Sequence, residues 1–142
     1  MSDEKLMELA LQARECSYSP YSHFRVGAAL LCADDSVYTG CNIENAAFTP
    51  GICAERTAIY KAVSEGKRAF TAIAIAGGSE DSVPALTAPC GVCRQVMREF
   101  CDPEEFRIIL GAGTGEKKVY LLKELLPLSF GPDNLNGKEK HS

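Results

Sequence analysis

The stretch Gly111–Lys117 constrains the fold of this chain more than any other. It is all that separates two apolar, β-prone segments, FRIIL at 106–110 and KVYLL at 118–122. Parallel neighbours need a crossover of about a dozen residues or more, so these strands, if adjacent, pair antiparallel. Upstream the pattern alternates. Leu6, Leu9, Ala10 and Ala13 have helical spacing behind Ser2, a candidate N-cap, and the helix is broken at Pro20 in SYSPYSHF. RVGAALLCA and SVYTGCNI, separated by Asp34-Asp35, read as a hairpin. ENAAFTPGI is a loop. A second helix is expected from Ala54 to Ser64, closed by Gly66. FTAIAIAGG is an apolar strand, and a third helix runs from Gly91 to Phe100, ahead of Asp102-Pro103. Strands alternating with helices imply a sheet with helices on both faces. The expectation is a three-layer α/β/α fold around a five-stranded mixed sheet, its last strand antiparallel. Residues 1–142 read as a single domain that ends in a short helical turn and a polar tail over 131–142.

Composition narrows the partners. A formal net charge of −4 with no basic block disfavours a phosphate-tracking surface, and with it a nucleic-acid partner. No apolar run is long enough to span a membrane. The opening MSDEKLMELA has no secretory pattern, so a cytoplasmic location and reduced thiols are expected. A small uncharged ligand fits this balance best.

Of the seven cysteines, Cys16, Cys32, Cys41 and Cys101 have small or apolar neighbours and read as core filler. The other three stand at strand-to-helix junctions: Cys53 in GICAERTA, and Cys90 and Cys93 in PCGVC. Cys90 and Cys93 are one helical turn apart, so both sulfurs can face one centre. Helix N-termini favour thiolates. Three thiolates suit zinc, and a site with three protein ligands leaves a fourth position to water. Neither histidine, His23 nor His141, has ligand spacing to them. Glu55 then acquires a second meaning. A lone acidic residue in a first turn is explained by the helix dipole alone. Two residues beyond a metal-bound Cys53, it is also placed to move a proton at the open position. Arg56 either lies on the surface or donates a hydrogen bond to a ligand sulfur.

CAERTA together with PCGVCRQ resembles the zinc-dependent cytidine deaminases, a class with a Glu that is not a ligand and a P-C-x-x-C signature. The Cys-Ala-Glu form looks like the free-nucleoside branch, and the small homotetrameric members are the closest match. YSPYSHFRVGAAL, GCNIENAAF and LLPLSFGP extend the likeness over nearly the whole chain. The resemblance implies a cytidine deaminase-like fold, one Zn²⁺ per chain on Cys53, Cys90 and Cys93, and Glu55 as proton shuttle. It implies that Asn42 and Glu44 hold the ribose 3′-hydroxyl and that Phe24 packs against the pyrimidine. By the same likeness, the backbone of Ala54 touches the base and Phe130 reaches a neighbouring subunit's site in a homotetramer. Phe48 stands where the family commonly has tyrosine, which puts a hydroxyl contact there in doubt. The implied activity is hydrolytic deamination of cytidine and deoxycytidine in pyrimidine salvage.

Three alternatives remain at this level. CGVC before a helix also occurs in thioredoxin-like redox proteins, although that reading leaves Cys53 and Glu55 unexplained. A zinc-stabilised binding module would not need Glu55. Within the family, a deaminase of a cytosine-bearing antibiotic such as blasticidin S is the closest rival.

Overall fold

The computed structural model describes residues 1–136. In chain order the elements are α1 (Asp3–Arg14), β1 (Phe24–Cys32), β2 (Val37–Cys41), α2 (Ala54–Ser64), β3 (Phe70–Ser79) and α3 (Gly91–Phe100). They are followed by β4 (Arg107–Gly111), β5 (Lys117–Leu121), α4 (Leu122–Leu125) and α5 (Pro132–Asn136). The boundaries follow local chemistry. The Ser2 hydroxyl accepts from the Lys5 amide at 3.1 Å and caps α1. Gly66, with φ +94°, closes α2 in the left-handed conformation that an L side chain resists. Asp34 accepts from the Ser36 amide at 3.0 Å and tightens the β1–β2 turn.

The strands form one five-stranded sheet in the order β2-β1-β3-β4-β5. β4 and β5 pair antiparallel, as the short connection requires, and only β3 and β4 pair parallel, with α3 as their crossover. Alternate strand residues feed two cores. Ala29, Ala72, Ala74, Ala76 and Ile109 pack against Leu6, Met7 and Ala10 of α1 on one face. Leu30, Ile73, Ile75 and Ile108 pack against Ala58, Ile59 and Met97 of α2 and α3 on the other. No helix among the described residues is long and apolar enough to cross a membrane.

Topology brings the cysteine-bearing junctions together. β1 is antiparallel to both β2 and β3, with Gly27 opposite Cys41 on one side and Ala76 on the other. β2 and β3 therefore run the same way and end at the same edge. α2 and α3, which come after them in the chain, begin there. Gly40 lets α2 sit close: a Cβ at this position would lie 2.5 Å from the Ala54 carbonyl oxygen.

Some expectations need correction. Cys32 and Cys101 are buried, but Cys16 is exposed and Cys41 only half-buried, so these two are not core filler. Residues 132–136, expected to be tail, form α5. It is held by an ion pair of 2.6 Å between the buried Arg98 and Asp133. The remainder of the expected tail, 137–142, lies outside the described residues.

Candidate active site

Cys53 and Cys90 are the N-cap residues of α2 and α3, and neither side chain caps a backbone amide of its helix. Both sulfurs are free to face the space between the two N-termini. The Cys53 and Cys90 sulfurs are 3.8 Å apart, those of Cys90 and Cys93 3.5 Å, and all three lie within 4.8 Å of one another. Tetrahedral zinc with bonds of about 2.3 Å holds its sulfurs roughly 3.8 Å apart, so this donor set fits the ion in number, softness and spacing. Cys93 is buried beneath the cluster, while Cys53 and Cys90 line the adjoining cavity.

Electrostatics favour a thiolate at Cys53. The Cys93 thiol and the Arg56 guanidinium hydrogen-bond to Cys53 and bring its pKa down to about 5. Arg56 Nη2 lies 3.4 Å from that sulfur. Cys93 is pushed up by its contact with Cys53 and by burial. Glu55, one residue into α2, is 4% exposed, and burial raises its carboxyl pKa to about 7. A carboxyl that titrates near neutrality both takes and gives protons at low cost.

The cavity has a volume of about 940 Å³, within the usual range for small-molecule sites. Cys53 and Cys90, with Ala54, Glu55 and Arg56, form its inner end. Its walls are Phe24, Val26, Asn42, Glu44, Phe48 and the 87–88 segment. Ala54 is fully buried, Phe24 is 40% exposed and Phe48 is 98% exposed. The Asn42 carboxamide is already in use. Its oxygen accepts from Val26 N at 2.8 Å and from the Ser17 hydroxyl, and its nitrogen donates to Phe24 O at 2.8 Å. One N–H of that amide remains for a ligand. Glu44 accepts from the amides of Tyr21 at 3.0 Å and Ser22 at 3.1 Å, and from the Ser22 hydroxyl. These bonds hold its pKa below the ordinary carboxylate value, the Ser22 hydroxyl foremost.

Of the residues expected to touch the substrate, Phe130 alone does not line this cavity. It is 58% exposed, on a segment fixed from below. Gln95 Nε2 donates to Phe130 O at 2.9 Å, and Arg98 Nε donates to the Ser129 hydroxyl at 2.8 Å. Ser17, Ser22 and Thr87 join or support the walls without having stood out in the sequence. Short polar residues in loops carry no periodic signal, and their partners are distant in the chain.

Residues 1–108 match the family model described as the cytidine and deoxycytidylate deaminase zinc-binding region. The chain is 47% identical over 136 residues to a cytidine deaminase of Halalkalibacterium halodurans, which covers 96% of this chain and 99% of that protein. It resembles the crystal structure of the cytidine deaminase from Burkholderia pseudomallei, with a TM-score of 0.84 and 43% identity, over 92% of this chain and all of that one. The Mycobacterium tuberculosis cytidine deaminase structure aligns with a TM-score of 0.76 and 36% identity, over 92% of this chain and 99% of that one. The fold and the thiol site define a zinc-region deaminase, and the chain belongs to the cytidine deaminase family.

Proposed function

We propose that the protein, as one domain, binds one Zn²⁺ per chain on Cys53, Cys90 and Cys93 and hydrolyses the 4-amino group of cytidine and deoxycytidine. The observation that carries this reading is the buried Glu55 beside three converging thiols at the inner end of a nucleoside-sized cavity. Zinc in such a site acts as a Lewis acid and lowers the pKa of water.

The chain's own residues do the rest. Glu55 takes a proton from the attacking water and delivers it to N3 of the ring. It then takes the proton of the hydroxyl added at C4 and passes it to the amine as the C4–N bond breaks, so uridine and ammonia leave. Arg56 donates to Cys53 and offsets the excess negative charge of three thiolates around a divalent ion. The Ala54 backbone meets the base and the Phe24 ring packs against it. Asn42, through its remaining N–H, and Glu44, through an accepting oxygen, hold the 3′-hydroxyl. Phe48 lacks a hydroxyl and closes its part of the wall by apolar contact alone.

The protein assembles as a homotetramer in this reading, and Phe130 completes a neighbour's cavity. Phe48, Phe130 and Leu128, which is fully exposed, are large apolar side chains of the kind that association would cover. Pyrimidine salvage in the cytoplasm is the matching role.

Purified protein offered cytidine, deoxycytidine, cytidine monophosphate and blasticidin S, with loss of cytosine absorbance followed, tests the assignment. Turnover of the two nucleosides is the expected result. Turnover of blasticidin S alone would replace the reading with the antibiotic deaminase, and turnover of none would remove it.

A further inference from the structure

We infer that Ser22 is a positioning residue for the sugar end of the site, acting through Glu44; this rests on the reading that Glu44 accepts from the ligand's 3′-hydroxyl. The hydroxyl of Ser22 is used twice. It donates to Glu44 Oε2 and accepts from the Phe24 amide at 3.1 Å. One side chain thus ties the carboxylate that faces the sugar to the backbone of the ring that faces the base. The Glu44 carboxylate is otherwise gripped on one side only. Both backbone donors, Tyr21 N and Ser22 N, go to Oε1. Ser22 Oγ is the donor that fixes Oε2 and leaves that oxygen one direction in which to accept from a ligand.

A carboxylate held by two amides on a single oxygen can swing its other oxygen about that anchor. Adding the hydroxyl removes this freedom before the ligand arrives, so less ordering is needed on binding. Without it, the hydroxyl of the ligand must itself fix the carboxylate. The loss appears in binding rather than in the chemical step, because the proton-moving Glu55 is on another element. Ser22 reads as an ordinary loop serine in the sequence. Its role depends on Glu44 folding back across the 21–24 segment.

The experiment compares cytidine with 3′-deoxycytidine on Ser22→Ala, Glu44→Gln and the double variant, with zinc content and melting temperature measured on each. For Ser22→Ala, KM for cytidine should rise about tenfold, in the range of a lost bond to a charged group, with kcat within about twofold. KM for 3′-deoxycytidine, which keeps only the Phe24 contribution of that hydroxyl, should rise much less. Ser22→Thr, which keeps the hydroxyl, should restore the cytidine KM. The alanine change should add nothing on the Glu44→Gln background. Ser22→Cys, of similar size but a weaker donor, should show the same substrate split at smaller amplitude. It takes the place of the alanine variant if that variant does not fold.

An equal KM rise for both substrates would make Ser22 a structural residue only, and no change for either would overturn the inference outright. If Glu44→Gln discriminates the 3′-hydroxyl and Ser22→Ala does not, the role of Ser22 fails and that of Glu44 stands. If Glu44→Gln treats both substrates alike, the reading of Glu44 fails and the inference falls with it.

Discussion

At the thiol end of the cavity the functional atoms stand on helix N-termini, and Cys93 and Glu55 are 0% and 4% exposed. At the end lined by Asn42 and Glu44 they stand on loops, and nearby Phe48 of the same lining is 98% exposed. The first end is held by the packing of α2 and α3 on the sheet, through Ala58, Ile59 and Met97. The second is held by hydrogen bonds between the 17–26 segment and the 42–44 segment. The contrast separates two kinds of requirement. Proton transfer tolerates little displacement and needs low exposure to shift a carboxyl pKa. Binding and release of a ligand need access, and loops give access.

The largest effect that tests this contrast is at a thiol. Cys90→Ala removes one of three converging ligands, so metal content and deaminase activity should fall together. Zinc analysis alongside turnover checks it. Full activity in rigorously zinc-free protein would break the assignment of this end.

Glu55→Gln comes next. It keeps the shape of the side chain and removes the titrating group. The variant should keep its zinc and its fold, and kcat should drop by at least the 10²–10⁴-fold that roughly marks general acid–base catalysis. Turnover within about tenfold of the parent would return Glu55 to the role of a helix-start residue.

A third test reaches the thiol end through its support. At Gly40 an added Cβ would lie 2.5 Å from Ala54 O and 2.6 Å from Ala58 N, both backbone atoms of α2. Those atoms cannot rotate aside, so the helix must shift, and Cys53 shifts with it. Gly40→Ala should cost about 1–3 kcal/mol of stability, the usual range for over-packing. It should also weaken zinc binding. Denaturant unfolding with and without a chelator checks both. An unchanged zinc affinity would show that the ligands adjust independently of the packing.

The same division decides what could be read in advance. The thiol end was legible because its residues recur at fixed offsets, Cys53 to Glu55 and Cys90 to Cys93, beside helical periodicity that marks where α2 and α3 begin. The antiparallel sense of the β4–β5 pair followed, given adjacent strands, from the shortness of their connection. The position of β1 between β2 and β3 was not legible, since pairing partners across the sheet leave no local trace. The bonds made by Ser17 and Ser22 were equally hidden. α5 escaped because its attachment is Arg98–Asp133, a contact between residues 35 positions apart, in a segment whose composition reads as tail.

The smallest expected effect concerns Phe130, which belongs to neither end within its own chain. An exposed ring on a segment fixed by Gln95 and Arg98 is held out rather than left loose. Phe130→Ala should keep the assembly and raise KM about tenfold, the scale of an interface aromatic of middling weight. The location of the effect is more informative than its size. Refold Phe130→Ala together with an equal amount of Glu55→Gln, and confirm mixed assemblies by mass. If Phe130 serves a neighbour, some sites combine Glu55 from one chain with Phe130 from another. At cytidine concentrations below KM, activity per chain then rises above that of Phe130→Ala alone. If Phe130 serves its own chain, every site with Glu55 still lacks the ring. The inactive partner then only dilutes the mixture, and activity falls below that of Phe130→Ala alone. The two outcomes move in opposite directions from one reference. A fall would leave the cavity complete within one chain and assign the exposed ring to assembly alone.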